Sequence, residues 1–297
     1  MEKTVLHNTT QKGENILYII GNGFDLAHGM KTSYENFRQW LNTYEPSAVY
    51  RLESLYPNIK DNEGRWCDIE AALGSVTLKE AVEFDKYFRE CPDEINGENS
   101  SHDAYQCGDN IKMVVDTLPS QLRDWIASVD TKKVCRKFEI AKDAKFLSFN
   151  YTNTLEDVYG IDNDVLHLHE VLIDSRPLVV GYGDSIFEHE KYESDNSEVD
   201  TDKIRNILSH CRKPVMEILE EPKPKSWFEG LSNISAVIVY GHSCSKVDKP
   251  YFEKVANCIK DDAHWVFHVH DENENPYFKA FAEKIKKGSQ IYEIINP

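Results

Sequence analysis

Short apolar runs of strand length alternate with longer amphipathic stretches along this chain. Asn15-Ile-Leu-Tyr-Ile-Ile20 is the first such run and stops at Gly21. Its length and its glycine flank predict a buried strand. The period then changes. Tyr34, Phe37, Trp40 and Leu41 share one helical face, as do Trp66, Ile69, Leu73 and Val76. Ile111, Val114, Val115, Leu118, Leu122 and Trp125 line a third, and each set has the spacing of an amphipathic helix. Pro119 is expected to start or kink the second half of the last of these. Residues 91–110 are rich in Asn, Ser, Asp and Gly and read as an exposed loop. Residues 30–140 are therefore expected to be mostly helical.

Strand-like patterns return after that block. Phe146–Phe149 reads as a strand. Asn153–Tyr159 reads as a short helix, with Asn153 as N-cap and Glu156 three residues on. Val165-Leu-His-Leu-His169 alternates, Leu178-Val-Val180 is a further short apolar run, and 184–203 reads as a polar, acidic loop. Ala236–Tyr240 is the clearest buried strand and leads through Gly241 into a helix with Phe252, Val255, Ala256 and Ile259 on one face. Strand Trp265–Val269, a helix carrying Phe278, Phe281 and Ile285, and strand Ile291–Ile295 complete the pattern. Strands separated by helices need crossovers and build a mainly parallel sheet. The expected class is α/β, a Rossmann-like sheet flanked by helices. Its core is expected at 1–29 and 141–297, with 30–140 as a large helical insertion after the first strand.

Composition narrows the functions this fold can serve. The 297 residues are 40% hydrophobic and 29% charged, as in soluble globular proteins. No apolar run reaches the roughly 18–20 residues of a membrane span, and Met1–Lys12 lacks the apolar centre of a signal peptide. The net charge of -17 argues against general affinity for nucleic acid or anionic lipid, which needs basic surface. Seven cysteines, an odd number without CxxC, point to reduced thiols and the cytoplasm. Cys91 and Cys107 flank the polar loop, but nothing requires them to pair.

Four stretches carry candidate chemistry. Gly21-Asn22-Gly23-Phe24-Asp25 follows the first strand. Such spacing suits a diphosphate held by backbone amides, or simply a tight turn. Leu26 stands where the dehydrogenase fingerprint has its third glycine, which disfavours a standard hydride-transfer protein. Asn150, Thr152, Asn153 and Thr154 cluster at a strand end, where ligands of open parallel sheets sit; helix capping accounts for one of them. His167 and His169 share a strand face and offer a general base or acid. With His268 and His270 they raise the alternative of a zinc site, although no Cys pair or HExxH accompanies them. Gly241-His-Ser-Cys-Ser-Lys-Val-Asp248 suits a loop around a ribose or adenine with Asp248 capping the next helix, or a plain strand-to-helix turn. GxSxG is absent, so an α/β-hydrolase nucleophile elbow is not expected.

Taken in order, these stretches resemble the AbiH family of bacteriophage abortive-infection proteins. The residues that carry the resemblance are Ile19–Gly29, Trp66-Cys-Asp-Ile-Glu70, Phe149–Glu156, His167-Leu-His169 and Val239-Tyr-Gly-His-Ser243. That family in turn resembles the sirtuin-like NAD-binding fold. The resemblance implies a diphosphate loop at Gly21 and Gly23, a catalytic Asn150, a catalytic His169 and a late ribose- and phosphate-facing loop at Gly241 and Ser243. Asn22, Asp25, His28, Tyr151, Thr152 and Asp248 complete the implied nucleotide-contacting set. Thr152 stands where the wider family has Asp, and Glu170 where it has Gly.

The implied function is an anti-phage effector that binds NAD, as substrate or ligand, and hydrolyses its nicotinamide–ribose bond without a metal. A phage-derived trigger and a homo-oligomer are compatible partners; membrane is not expected. The alternatives are a nucleotide-sensing defence protein without turnover and a metal-dependent nuclease or phosphohydrolase.

Overall fold

The computed structural model describes residues 4–5, 15–90, 106–161, 165–169, 178–183, 185–191 and 199–296. Its strands are β1 Thr4–Val5, β2 Ile16–Ile20, β3 Phe138–Glu139, β4 Lys145–Ser148, β5 Val165–His167, β6 Ala236–Tyr240, β7 His264–His268 and β8 Ile291–Ile295. The helices up to the middle of the chain are α1 Asn22–Ala27, α2 Tyr34–Tyr44, α3 Pro46–Leu55, α4 Ile69–Ser75, α5 Leu78–Glu90 and α6 Asp109–Ala127. Then follow α7 Thr154–Tyr159, α8 Thr201–Leu208, α9 Val215–Glu220, α10 Pro222–Glu229, α11 Lys249–Cys258 and α12 Asn275–Ile285. No helix among the described residues is long and apolar enough to cross a membrane.

The chain forms two compact units. One comprises Met1–Thr32, Ile126–Arg176 and Pro214–Pro297, the other Ser33–Trp125 and Pro177–Lys213. The first holds a six-stranded sheet of order β5-β4-β2-β6-β7-β8. Every pairing in it is parallel, so the protein is α/β with a Rossmann-like sheet. A sheet covered on both faces needs apolar residues at successive positions rather than alternate ones. The sequence of β2 meets that demand, with all five of its residues buried. On one face Tyr18, Phe24, Phe146, Leu155, Tyr159 and Ile238 form a continuous core. From β2 the chain goes to β4 and β5 on one side, then returns to β6 on the other. The topological switch point, where ligands of open sheets bind, therefore lies between the ends of β2 and β6.

The second unit is helical and explains Trp66–Glu70. Trp66 is buried and its indole Nε1 donates to Glu53 Oε1 at 3.1 Å. Asp68 caps α4 by accepting from the Ala71 amide at 2.9 Å. Glu70 accepts from Lys213 Nζ at 3.1 Å, and that lysine side chain is fully buried. The sequence pattern left 177–213 with the strands. Its described part is tied to helical-unit backbone, with the Ile186 amide on Gly74 O at 2.9 Å and the Leu78 amide on Glu190 at 2.6 Å.

Removing one member of a buried ion pair strands the other charge. Lys213→Ala is therefore expected to cost about 3–5 kcal/mol, read as a lower urea midpoint at unchanged slope. Lys213→Met combined with Glu70→Gln should recover most of that loss.

Several local expectations are corrected. The run Val165–His169 is strand only to His167, and His169 sits in the bend beyond it. Leu178–Val180 is not a strand: an apolar run alone does not create a pairing partner. Helix α6 is continuous through Pro119, so that proline does not start a separate helix. Asn153 begins α7 but its side chain caps no amide. Helix α8 starts at Thr201, inside the stretch read as loop, with Asp200 as its cap. The small parallel pair of β1 and β3 was not anticipated. Most of the 91–110 loop, including Cys91, lies outside the described residues.

Candidate functional site

Four adjacent strands end level with one another. Ile20 is in register with Ser148 and with Tyr240, and Ser148 with His167. The segments that follow, at Gly21, Phe149, Leu168 and Gly241, therefore leave the sheet along one edge. The residues implied for the nucleotide site lie on these segments or on the helices that follow them.

At the switch point the two glycine loops close on each other. The Gly21 amide donates to Tyr240 O at 3.0 Å and the Gly23 amide to Gly241 O at 2.8 Å. A Cβ on Gly23 would lie 2.5 Å from Gly241 Cα, and one on Gly21 2.6 Å from Gly241 O. Gly241 itself has φ 68°, a conformation that glycine adopts without penalty. The sequence reading turned these amides toward a diphosphate. In the structure the Gly21 and Gly23 amides are engaged by carbonyls, because buried amides require partners, and the glycines make room for backbone.

His28 is a core residue rather than a group facing a ligand. It is buried, with Nδ1 on Phe24 O at 2.7 Å and Nε2 on the Tyr159 hydroxyl at 2.8 Å. A carbonyl only accepts, so Nδ1 carries the proton and Nε2 accepts from Tyr159. The Tyr159 oxygen in turn accepts from the Lys137 and Phe138 amides at 3.3 and 3.2 Å. Burial holds the imidazole below its usual 6.5, which suits this neutral arrangement.

Two buried polar centres occupy the same edge. The first is built on Asp25, which is 1% exposed. Its carboxylate accepts from Thr152 Oγ1 at 2.5 Å and Thr154 Oγ1 at 2.7 Å, and from the Asn150 side chain. Desolvation pushes its pKa up to about 6, with those three donors opposing the rise. The Thr152 departure thus has a physical counterpart: the carboxylate arrives from α1 and Thr152 donates to it. Asn150 is 5% exposed, and its Oδ1 is buried without a hydrogen-bond partner.

The second centre is built on Asp248. His169 Nε2 lies 3.9 Å from Asp248 Oδ1, and His242 Nε2 lies 3.5 Å from Asp248 Oδ2. All three residues are buried. The Phe149 ring packs between the imidazoles, its centroid 5.4 Å from His169 and 4.2 Å from His242. Tyr151 lies 5.6 Å from His169, ring to ring.

The sequence reading included Asp248 but missed His242, although it stands directly after Gly241 inside the quoted run. Two other members lie further out. Ser243 is exposed, and Asn22 is exposed with its amide on Thr32 O at 2.8 Å. His167 pairs with Glu156 at 2.7 Å. Among the described residues no group of three His, Cys, Asp or Glu is arranged to hold a metal ion. Glu170 lies outside the described residues.

Asp25 and His28 give the fold opposite pH responses. A carboxyl raised to about 6 from an unfolded value of about 3.9 stabilises the fold most below the unfolded value. That contribution is lost as pH rises through about 6. His28, lowered from 6.5, stabilises above that value, and its contribution is lost as pH falls. Asp25→Asn is expected to remove the first response, on the order of 2 kcal/mol between pH 4 and 7. Urea unfolding across that range checks it: the variant should gain stability relative to the parent as pH rises. Parallel pH profiles for the two proteins would contradict the assignment.

No curated protein and no solved structure matches the chain. The family model described as "Bacteriophage abortive infection AbiH" matches residues 17–269. That span covers the strand-end site and most of both units, so the chain belongs to the AbiH family, whose role is abortive infection in defence against phage.

Proposed function

We propose, with membership of this family as the premise, that the protein is a defence effector whose strand-end site takes NAD as substrate and hydrolyses its nicotinamide–ribose bond. The observation that carries the reading is Asn150. Its Nδ2 is committed to Asp25, while its Oδ1 is a buried acceptor that lacks a donor. A buried polar atom without a partner is costly. A ribose hydroxyl or an attacking water supplies the missing donor, so the residues fit the sugar end of such a substrate. His169, on the next strand end, takes the proton. In the overall step the carbon–nitrogen bond breaks and nicotinamide leaves neutral with the bonding pair. The water oxygen joins the ribose carbon, and its proton passes to His169.

The engaged amides of Gly21 and Gly23 favour a second reading, a nucleotide sensor without turnover, because they do not serve a diphosphate. The test is NAD loss and nicotinamide release by the purified protein, alone and with extract of phage-infected cells, beside Asn150→Ala and His169→Ala. Activity that both substitutions remove supports hydrolysis. Folded protein that stays inactive in both conditions counts against it, and calorimetric binding of NAD or ADP-ribose without cleavage selects the sensor.

A further inference from the structure

Asp248 stands at the N-cap position of α11, where the sequence leads one to expect a carboxylate capping the helix. Its side chain makes no capping hydrogen bond. Its Oδ2 accepts from Ser245 Oγ at 3.1 Å and faces His242 Nε2 at 3.5 Å, while Oδ1 faces His169 Nε2 at 3.9 Å. A buried carboxylate turned away from the helix it begins, and between two imidazoles, calls for another role.

His242 is fixed from its other side. The Cys244 amide donates to its Nδ1 at 2.8 Å, so the neutral ring carries its proton on Nε2, toward Asp248. The backbone is bent to make this contact: Cys244, fully buried, has φ 53°. A non-glycine residue there is strained and persists only when its surroundings hold it. Two holds are visible. The Tyr277 hydroxyl of α12 donates to the Cys244 carbonyl, and the Cys244 amide is spent on His242.

We propose that His242 and Asp248 form a positioning relay for His169, in which the Cys244 turn sets the His242 tautomer, His242 orients Asp248, and Asp248 stabilises the imidazolium that forms when His169 accepts a proton. The relay rests on the reading of His169 as proton acceptor given above. A base oriented by a third group is the general logic of such sites, and contacts of this kind are often long before substrate arrives and tighten afterwards. Titratable groups facing His169 or Asp248 include His242, Tyr151 and the Cys244 thiol. Asp248 is a carboxylate within ion-pair reach of His169 Nε2.

Nitrogen-15 NMR of labelled histidines in the full-length protein tests the relay without needing turnover. His242 should be neutral at pH 7 with its proton on Nε2. Asp248→Asn, which keeps the shape, should lower the pH at which His169 takes up its proton by about one unit, since a nearby carboxylate favours the charged ring. His242→Ala should lower it less, and His242→Gln, which keeps a donor toward Asp248, should restore it. In NAD cleavage the acid limb of the pH profile should move with that midpoint, and kcat should fall while KM holds.

An unchanged His169 midpoint in Asp248→Asn, or a His242 proton on Nδ1, overturns the relay. A parent protein that shows the coupling but never cleaves NAD refutes the catalytic reading and leaves the coupling standing. Cleavage without the coupling refutes the relay alone.

Discussion

Alanine at His169 is expected to slow NAD cleavage by about 10²–10⁴-fold, the usual contribution of a positioned acid–base group. Protection of cells against phage should fall with it. Asn150→Ala should lose activity for a different reason, since it removes both the donor to Asp25 and the unpartnered acceptor. Because it deletes a group that holds the substrate as well as orients it, its loss should appear in KM as well as kcat. Nicotinamide release measured by chromatography, with a urea midpoint for each variant, separates chemistry from misfolding. Full cleavage rates in both folded variants would remove these residues from the reaction.

A loss of stability as large as that at Lys213 is expected from Gly241→Ala. At φ 68° an added Cβ would sit 2.3 Å from the Phe24 amide nitrogen and 2.6 Å from Gly23 Cα. The left-handed backbone costs about 1–2 kcal/mol and the overlap with backbone about 1–3 more. The overlap cannot be relieved by turning a side chain, because the neighbouring atoms belong to the opposite loop's main chain. Gly29 provides the matched control, with φ 79° and nothing within 4 Å of its added Cβ, so Gly29→Ala should show the backbone cost alone. Unfolding midpoints of the two variants isolate the interlock. Equal losses would mean that the two loops yield to each other freely.

The sheet was legible because its central strands are buried on both faces, and runs such as Ile16–Ile20 and Ala236–Tyr240 have no other sensible reading. The ends of the two glycine-flanked strands were legible for the same reason, whereas β4 and β5 stop short of the expected Phe149 and His169; Asn150, His169, Asp25 and Asp248 all lie in the segments beyond strand ends. Roles were harder to read. The spacing of Gly21 and Gly23 is the same whether the missing side chains make room for a ligand or for another loop, and only the approach of Gly241 distinguishes the two. His28 was expected among the nucleotide-contacting residues, yet Tyr159, far along the chain, draws it inward. His242 was hidden because its meaning depends on the turn at Cys244, a backbone angle that no residue type there announces. The order β5-β4-β2-β6-β7-β8 likewise depends on long-range pairing that local pattern does not encode.

That order has a consequence for biogenesis. Strand β2 ends at Ile20, yet its neighbours β4 and β6 are Lys145–Ser148 and Ala236–Tyr240. Emerging from the ribosome, the central strand waits until β4 is made before its first flank exists and until β6 before its second, and long-range pairing of this kind is slow to form. Asp248 emerges later still. The strand-end site is thus assembled only after β6 and the segment that follows it have been made, however early its first glycine loop emerges.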